Sequence, residues 1–237
     1  MTGYTRIGDI AIVYIPEESA HKEQEIAQYI LRNDHSIKVV LRKYGRYGEF
    51  RKQKIKLLAG NHTETTHTEF GLKIQVDVKE TYFSEREKTE RQRLKDLVIN
   101  GESILVLFAG VGAIPLVIAQ EKRVDITAVE KNEKAFLLMK ENILLNNLQG
   151  EITPVLQDVY TFEGPVCDRV IVPQPYNHSA FEYVQKFVKK GGVLHYYTWH
   201  SEHDSPPEFP GFSIITVTQV MSYAPRVWKV CVDLQKI

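Results

Sequence analysis

Leu105-Val106-Leu107-Phe108-Ala109-Gly110-Val111-Gly112-Ala113 reads as a buried apolar strand running into a Gly-x-Gly turn, with a helix beginning near Ala113. Glycine tolerates the positive backbone angles of a sharp bend and lets a ligand approach the backbone closely. The helix that follows points its N-terminal amides at whatever sits over the turn. Two glycines at a strand–helix junction also occur in plain turns, so the downstream context carries the reading.

That context favours a ligand loop. Residues 125–129 read as a second strand ending in Glu130. An acidic residue about 20 positions beyond a Gly-rich turn, at the end of the next strand, is where nucleotide-binding sheets grip ribose hydroxyls. The alternative is that Glu130 caps a helix from Asn132. Phe136, Met139 and Ile143 then follow at helical spacing, with a third strand over 152–156 and Asp158 behind it. The loop after that strand is where a base edge would lie. A third glycine at dinucleotide spacing and the Lys-Ser/Thr of a P-loop are both missing, so a mononucleoside-type ligand fits better than NAD or ATP.

The 237 residues suffice for one large or two modest domains. Thirty basic and thirty acidic side chains cancel, so any nucleic-acid binding must rest on a local patch. Cys167 and Cys231 carry no spacing motif and argue for a reducing compartment without a metal site. No apolar run approaches the ~18–20 residues of a membrane span, and no signal-peptide start is seen. A cytoplasmic protein with no membrane association is expected.

In chain order, 8–15 reads as a strand, 21–31 as an amphipathic helix with Ile26, Ile30 and Leu31 inward, and 37–41 as a strand. A basic segment follows: Lys38, Arg42, Lys43, Arg46, Arg51, Lys52, Lys54 and Lys56, interleaved with Tyr44, Tyr47 and Phe50. Such a mixture suits a phosphate backbone and exposed bases, and equally a solvated two-stranded ribbon. Residues 63–70 read as a polar loop and 72–78 as a strand. Residues 1–80 thus form a small α/β unit, and 81–237 a second. There 87–98 and 179–190 read as helices, the latter closed by Gly191-Gly192, and 168–172, 193–198, 214–220 and 227–234 as strands. The βαβα pattern implies a parallel sheet with helices on both faces, with ligands at the carboxyl ends of its strands. His200, His203 and Asp204 lie in a stretch that reads as a solvent loop, and no metal is expected there.

A set of ordered motifs resembles the archaeal and eukaryotic-type tRNA (guanine-37 N1)-methyltransferase family across nearly the whole chain. They include Ile7-Gly8-Asp9-Ile10, Val40-Leu41-Arg42-Lys43, Gly48-Glu49-Phe50-Arg51, Thr63-Glu64-Thr65, Tyr82-Phe83-Ser84 and Thr89-Glu90-Arg91. Further on come Phe108-Ala109-Gly110-Val111-Gly112, Glu141-Asn142-Ile143, Leu145-Asn146, His195-Tyr196-Tyr197-Thr198 and Ser222-Tyr223-Ala224-Pro225-Arg226. The resemblance implies an α/β fold: a class I, Rossmann-like S-adenosylmethionine-dependent methyltransferase sheet with a small N-terminal RNA-facing domain. It implies a cofactor pocket of Tyr82, Phe108, Gly110, Gly112, Glu130 and Asp158. It implies Glu90 as general base on the guanine N1 proton and Arg51 as the cation for charge building on O6. Gln174, Tyr176, Asn177 and Tyr223, with Trp199, are the candidate surroundings of a splayed-out anticodon-loop base. A monomer acting on tRNA is expected.

The chain departs from that family's pattern in carrying Val106 where Asp is usual and Pro173 where an Asn donor is usual. Proline has no N–H, so either Gln174 or Asn177 replaces the donor or the chemistry differs. The extra N-terminal domain of many members is not expected from this sequence. A sister family in wybutosine synthesis, which transfers the aminocarboxypropyl group of the same cofactor to the same tRNA position, lacks that Asn; Glu130-Lys131 and Trp228 resemble it. A non-catalytic tRNA-binding paralogue is the third reading. The methyl reading is favoured.

Overall fold

Ile10, Ala11, Ile12 and Val13 are four consecutive buried residues, as expected of a strand covered on both faces. The computed structural model describes residues 3–47, 52–176, 178–201 and 208–237. A short strand, β1 (Tyr4–Ile7), which the sequence reading missed, turns at Gly8 into β2 (Ile10–Tyr14). Helix α1 (Glu23–Asn33) crosses to β3 (Val39–Tyr47), parallel to β2, and β3 folds back antiparallel to β4 (Lys52–Ala59). Ala27 and Ile30 of α1 pack on Ala11, Val13 and Val40, with Ile26 and Leu31 partly buried beside them.

Residues 63–70, expected as a loop, instead contain β5 (Glu64–Glu69), paired with β6 (Leu72–Asp77). The stretch looks loop-like because most of its side chains face solvent or sit half-buried, yet threonine suits a strand sterically. This hairpin joins the two ends of the molecule. Thr65 donates to Asp9 Oδ1 at 2.7 Å and accepts the Asp9 N–H at 3.2 Å. Gly8 sits at φ +57°, and a Cβ there would collide with the Thr65 side chain. The two separated motifs are therefore one contact.

Helix α2 (Lys88–Leu97) leads into β7 (Ser103–Leu107), α3 (Ala113–Ala119), β8 (Asp125–Glu130), α4 (Glu133–Leu145) and β9 (Glu151–Leu156). Then come β10 (Cys167–Val172), the short α5 (Phe181–Val184), β11 (Val188–Ser201), β12 (Phe212–Ala224) and β13 (Val227–Lys236). The seven-stranded sheet runs β12-β13-β11-β10-β7-β8-β9. Its strands are parallel from β11 to β9, whereas β13 is antiparallel to β11 and β12 to β13. This is a Rossmann-like α/β sheet, as expected. In β7, Ile104 and Val106 join one core and Leu105 and Leu107 the other, so both faces are covered. Val106 is fully buried within the ladder, between Ala128 and Ile171.

The expected helix over 179–190 is shorter than its pattern. Phe181–Val184 is α-helical and Gln185–Phe187 continues it as a 3-10 turn, but Val188 already pairs with Cys167. Gly191 and Gly192 lie in a register shift of β11 rather than at a helix end. Strand pairing with β10 overrides the local helical pattern here.

Helix α4 covers the exposed edge of β6 with side chains. Asn142, fully buried, accepts the Gln75 N–H at 2.7 Å and donates to Gln75 O at 3.1 Å and Val111 O at 3.0 Å. One turn on, Asn146 does the same to Lys73 N and O. The asparagines imitate a neighbouring strand, leaving no unpaired edge. Among the described residues no helix is long and apolar enough to cross a membrane.

Asn142→Ala strands three backbone groups without partners. It should lower unfolding stability by roughly 2–4 kcal/mol, and Asn146→Ala by clearly less because that site is solvent-exposed. Urea unfolding of the two variants checks the order.

Candidate active site

A cleft opens beyond the carboxyl ends of β7, β8, β9 and β10, where the strand order reverses between β7 and β10. Phe108 and Gly110 follow β7, Glu130 ends β8, Asp158 and Tyr160 follow β9, and Pro173, Gln174 and Pro175 follow β10. Glu130 organises the first of these loops. Its two oxygens accept the N–H groups of Gly110 and Asn132, each at 2.7 Å. Burial raises its pKa above the ordinary carboxylate value, against the pull of those amides. The expected alternatives for Glu130 resolve here: the cap of α4 is Asn132 itself, whose Oδ1 accepts from Lys134 at 3.1 Å. A carboxylate has about four lone-pair sites, so Glu130 keeps acceptor capacity for a ribose hydroxyl.

Both glycines of the turn are left-handed, Gly110 at φ +58° and Gly112 at +85°. Gly112 does not line the cleft. It caps α3, and a Cβ there would meet Met139 Cγ at 2.8 Å. Asp158 pairs with Lys131 at 2.9 Å, and that bond leads the interactions that hold its carboxyl below the usual range. Phe108, Tyr160 and His178 form an aromatic wall, with Tyr160 Oη 3.0 Å from His178 Nδ1. Tyr160 and His178 were not singled out from sequence, because no period marks residues that meet only across two loops.

Tyr82 and Lys229 also line the cleft. Both donate to Glu87 Oε1 at 2.9 Å. Glu87 is buried; burial would raise its pKa, but the Lys229 ammonium holds it below the usual range. Lys229 also lies 5.0 Å from the centre of the Tyr197 ring.

Glu90 stands one layer behind. It does not line the cleft, and both its oxygens are engaged by Arg93, at 2.7 and 2.8 Å, with the Tyr197 hydroxyl donating at 2.5 Å. Arg93 continues to Asp233 at 2.6 Å, and Asp233 to His195 Nδ1 at 2.6 Å. His195 Nε2 meets Arg169 at 2.6 Å, and Arg169 clasps Glu102 with two bonds of 2.8 Å. Arginine only donates, so Nε2 accepts and His195 is neutral with its proton on Nδ1. Burial lowers the His195 pKa in the same sense. His195, Asp233 and Cys231 are close enough to suggest a metal triad. The guanidinium groups of Arg93 and Arg169 already occupy it.

The remaining expected residues divide. Gln174 is buried, its amide donating to Tyr197 O at 2.9 Å and accepting from Ala180 N at 3.0 Å. Tyr176 is exposed and meets Trp199 edge-on at 5.2 Å, outside the cleft lining. Arg51, Asn177, His203, Asp204 and the Tyr223 side chain lie outside the described residues. In the basic ribbon, Arg42 is buried and spent on Ile15 O, Glu17 and Glu23, so it is structural. Lys38 and Lys54 remain exposed, as does Tyr44.

The description "TRM5/TYW2 methyltransferase domain" matches residues 65–208, and "TYW2 N-terminal domain" matches residues 1–63. The chain belongs to the TRM5/TYW2 family. It is 32% identical to the tRNA (guanine(37)-N(1))-methyltransferase Trm5b of Pyrococcus abyssi, over 99% of this chain and 74% of that protein. It is 31% identical to the tRNA(Phe) (4-demethylwyosine(37)-C(7)) aminocarboxypropyltransferase of Pyrococcus horikoshii, over 98% of this chain and 88% of that protein. The crystal structure of Methanocaldococcus jannaschii TYW2 in complex with AdoMet superposes with a TM-score of 0.74 at 28% identity, covering 99% of this chain and all of that one. As a TRM5/TYW2 member the chain is a transferase that uses S-adenosylmethionine and modifies tRNA. Its cleft fits that cofactor: a carboxylate with free lone pairs at the end of β8, a side-chain-free loop at Gly110, and apolar and aromatic walls from Ala135, Val159 and Phe108.

Arg93→Ala leaves the Glu90 and Asp233 carboxylates without their cation. It should cost roughly 2–4 kcal/mol, less than full burial would give because Arg93 is partly exposed. Burial raises the Asp233 pKa, but hydrogen bonds from His195 and Arg93 bring it below the usual range overall. The stability from Asp233 is therefore present above its unfolded pKa of about 3.9 and lost as pH falls through the lower folded value. Urea unfolding from pH 7 down to pH 2 should show this acid slope, and Asp233→Asn should flatten it.

Proposed function

We propose that this chain transfers the methyl group of S-adenosylmethionine to N1 of guanosine-37 in the anticodon loop of tRNA. The observation that carries the reading is the placement of α2 and the turn before it. Glu87 bonds two cleft residues, Tyr82 and Lys229, and Glu90 lies one turn on behind Tyr197. Guanine N1 carries a proton and is a poor nucleophile until it leaves, so an ionised carboxylate beside the acceptor is what this reaction needs first. Such a base contributes typically about 10²–10⁴-fold.

In this reading Glu130 accepts from the ribose hydroxyls, Asp158 and Val159 flank the base of the cofactor, and Phe108 and Tyr82 close over it. The cofactor, when bound, supplies a methyl group already activated on a sulfonium. Glu90 takes the N1 proton when tRNA draws its carboxylate from Arg93, and the role of stabilising charge on O6 falls to Arg51, as the family resemblance implies. Tyr176, Asn177 and Tyr223 are the residues assigned to the unstacked base, and Lys38 and Lys54 to the tRNA backbone. The protein acts as a monomer in the cytoplasm.

A second reading is favoured by a specific observation. Residues 1–63 match the TYW2 N-terminal domain. It assigns aminocarboxypropyl transfer to the modified base at the same position.

Incubation with unmodified tRNA transcript, with the cofactor labelled separately in its methyl group and its aminocarboxypropyl chain, separates the two. Methyl label on guanosine-37 is the expected result; chain label on tRNA carrying the tricyclic base overturns it. Glu90→Gln should slow single-turnover transfer by about 10²–10⁴-fold. Glu130→Gln should weaken cofactor binding by about 10–100-fold. Wild-type affinity should fall as pH drops below the raised Glu130 pKa, since only the ionised form accepts from both hydroxyls, and the variant should lose that dependence. Calorimetric titration reads both.

A further inference from the structure

The segment after β10 offers little to an acceptor base. Pro173 and Pro175 have no N–H, and the Gln174 amide is tied to Tyr197 O and Ala180 N. Yet removing a proton from N1 sends negative charge onto O6, and that oxygen needs a fixed donor. Two lysines line the cleft, Lys131 and Lys229. Lys131 is paired with Asp158, on the β9 side that holds the nucleoside of the cofactor. Lys229 is the other, and it is 4% exposed despite its charge.

An ammonium has three N–H donors. Lys229 gives one to Glu87, and among the described residues the other two have no hydrogen-bond acceptor. Its neighbours fix its position: Glu87 on one side, the Tyr197 ring beneath it at 5.0 Å. Tyr197 is itself pinned by Glu90 and by the Gln174 amide. A purely structural ion pair explains the burial of Lys229 but not its two unspent donors beside the cleft.

We infer that Lys229 is a second donor, beside the Arg51 cation that the resemblance implies, to the acceptor-base oxygen on which negative charge builds during transfer, and that Glu87 is its positioning residue. The inference rests on the transferase reading above and adds the donor that the Pro173 segment lacks. A cation preorganised away from water stabilises such an oxygen far more than a solvated one would. Glu87 aims the ammonium, and Tyr82 donates to the same Glu87 oxygen, so one carboxylate positions both the cleft wall and the donor.

The test uses full-length protein, unmodified tRNA transcript and three variants: Lys229→Met, Lys229→Arg and the double variant Glu87→Gln/Lys229→Met. The single Met variant leaves Glu87 buried without a cation and should unfold more easily. The double variant removes both charges and should regain stability in urea. Its single-turnover rate should nonetheless fall by about 10²–10³-fold, with cofactor affinity within about threefold of wild type, and Lys229→Arg should recover part of the rate. A double variant at the wild-type rate overturns the proposal and leaves the pair structural. A loss of S-adenosylmethionine affinity of about tenfold or more, with 5′-methylthioadenosine affinity unchanged, also overturns it, because the donor then serves the carboxylate of the cofactor. Weighing the product nucleoside keeps the two readings apart: an aminocarboxypropyl product rejects methyl transfer, while a slowed double variant still supports Lys229. Wild-type protein that transfers neither group overturns both.

Discussion

A largely buried line of charged groups, bridged at its centre by the neutral His195, holds this molecule's working parts in place. It runs from Glu90 through Arg93, Asp233 and His195 to Arg169 and Glu102. Its six members are spread over five places in the fold: two on α2, then one each on β13, β11 and β10 and at the entry to β7. Charges out of water are costly unless every one is paired. That cost makes the arrangement specific, because a shift of α2 along the sheet would leave a carboxylate or a guanidinium stranded. The position of α2 in turn sets Tyr82, Glu87 and Tyr197, and so one wall of the cleft.

The cleft itself is assembled on a different principle. Glu130 gathers the loops after β7 and β8 by accepting one amide from each. The loop geometry is therefore pre-formed by the same carboxylate that is proposed to receive the ribose. The small sheet at the N-terminus is joined to this frame through the β5–β6 hairpin: Thr65 meets Asp9 on one side, and Asn142 and Asn146 hold β6 on the other. Side-chain amides and hydroxyls, rather than apolar area alone, dictate how the two parts meet.

Several departures from the family pattern gain a physical meaning in this light. Val106 belongs to the core between two ladder neighbours and does not reach the cleft. Pro173 does reach it, and there the absence of a donor is felt. Lys229 lines the same cleft as Pro173, and it is bonded to Glu87 behind it across 142 positions of chain. A lysine in the otherwise apolar run Val227-Trp228-Lys229-Val230-Cys231-Val232 was the sequence signal for it. Alone it reads as a surface residue of a half-exposed strand.

Local pattern determined much by itself. The apolar run before Gly110, the acid at the end of the next strand and the βαβα order led to the Rossmann-like sheet, and the same residues marked Glu130 and Asp158. These are short-range regularities: periodicity, turn chemistry and spacing within one βαβ unit are written in adjacent residues. Tertiary structure decided the rest. It made 64–69 a strand, because a neighbouring edge was there to pair with, and it cut the helix expected over 179–190 short at Phe187, because Cys167 offered Val188 a ladder partner. It also placed Glu90 behind the cleft on Arg93 and Tyr197, and tied Glu87 to the lining residues Tyr82 and Lys229. Which of two acids one turn apart bonds to a pocket's lining depends on partners such as Tyr197 and Lys229, and those come from strands that only folding brings near.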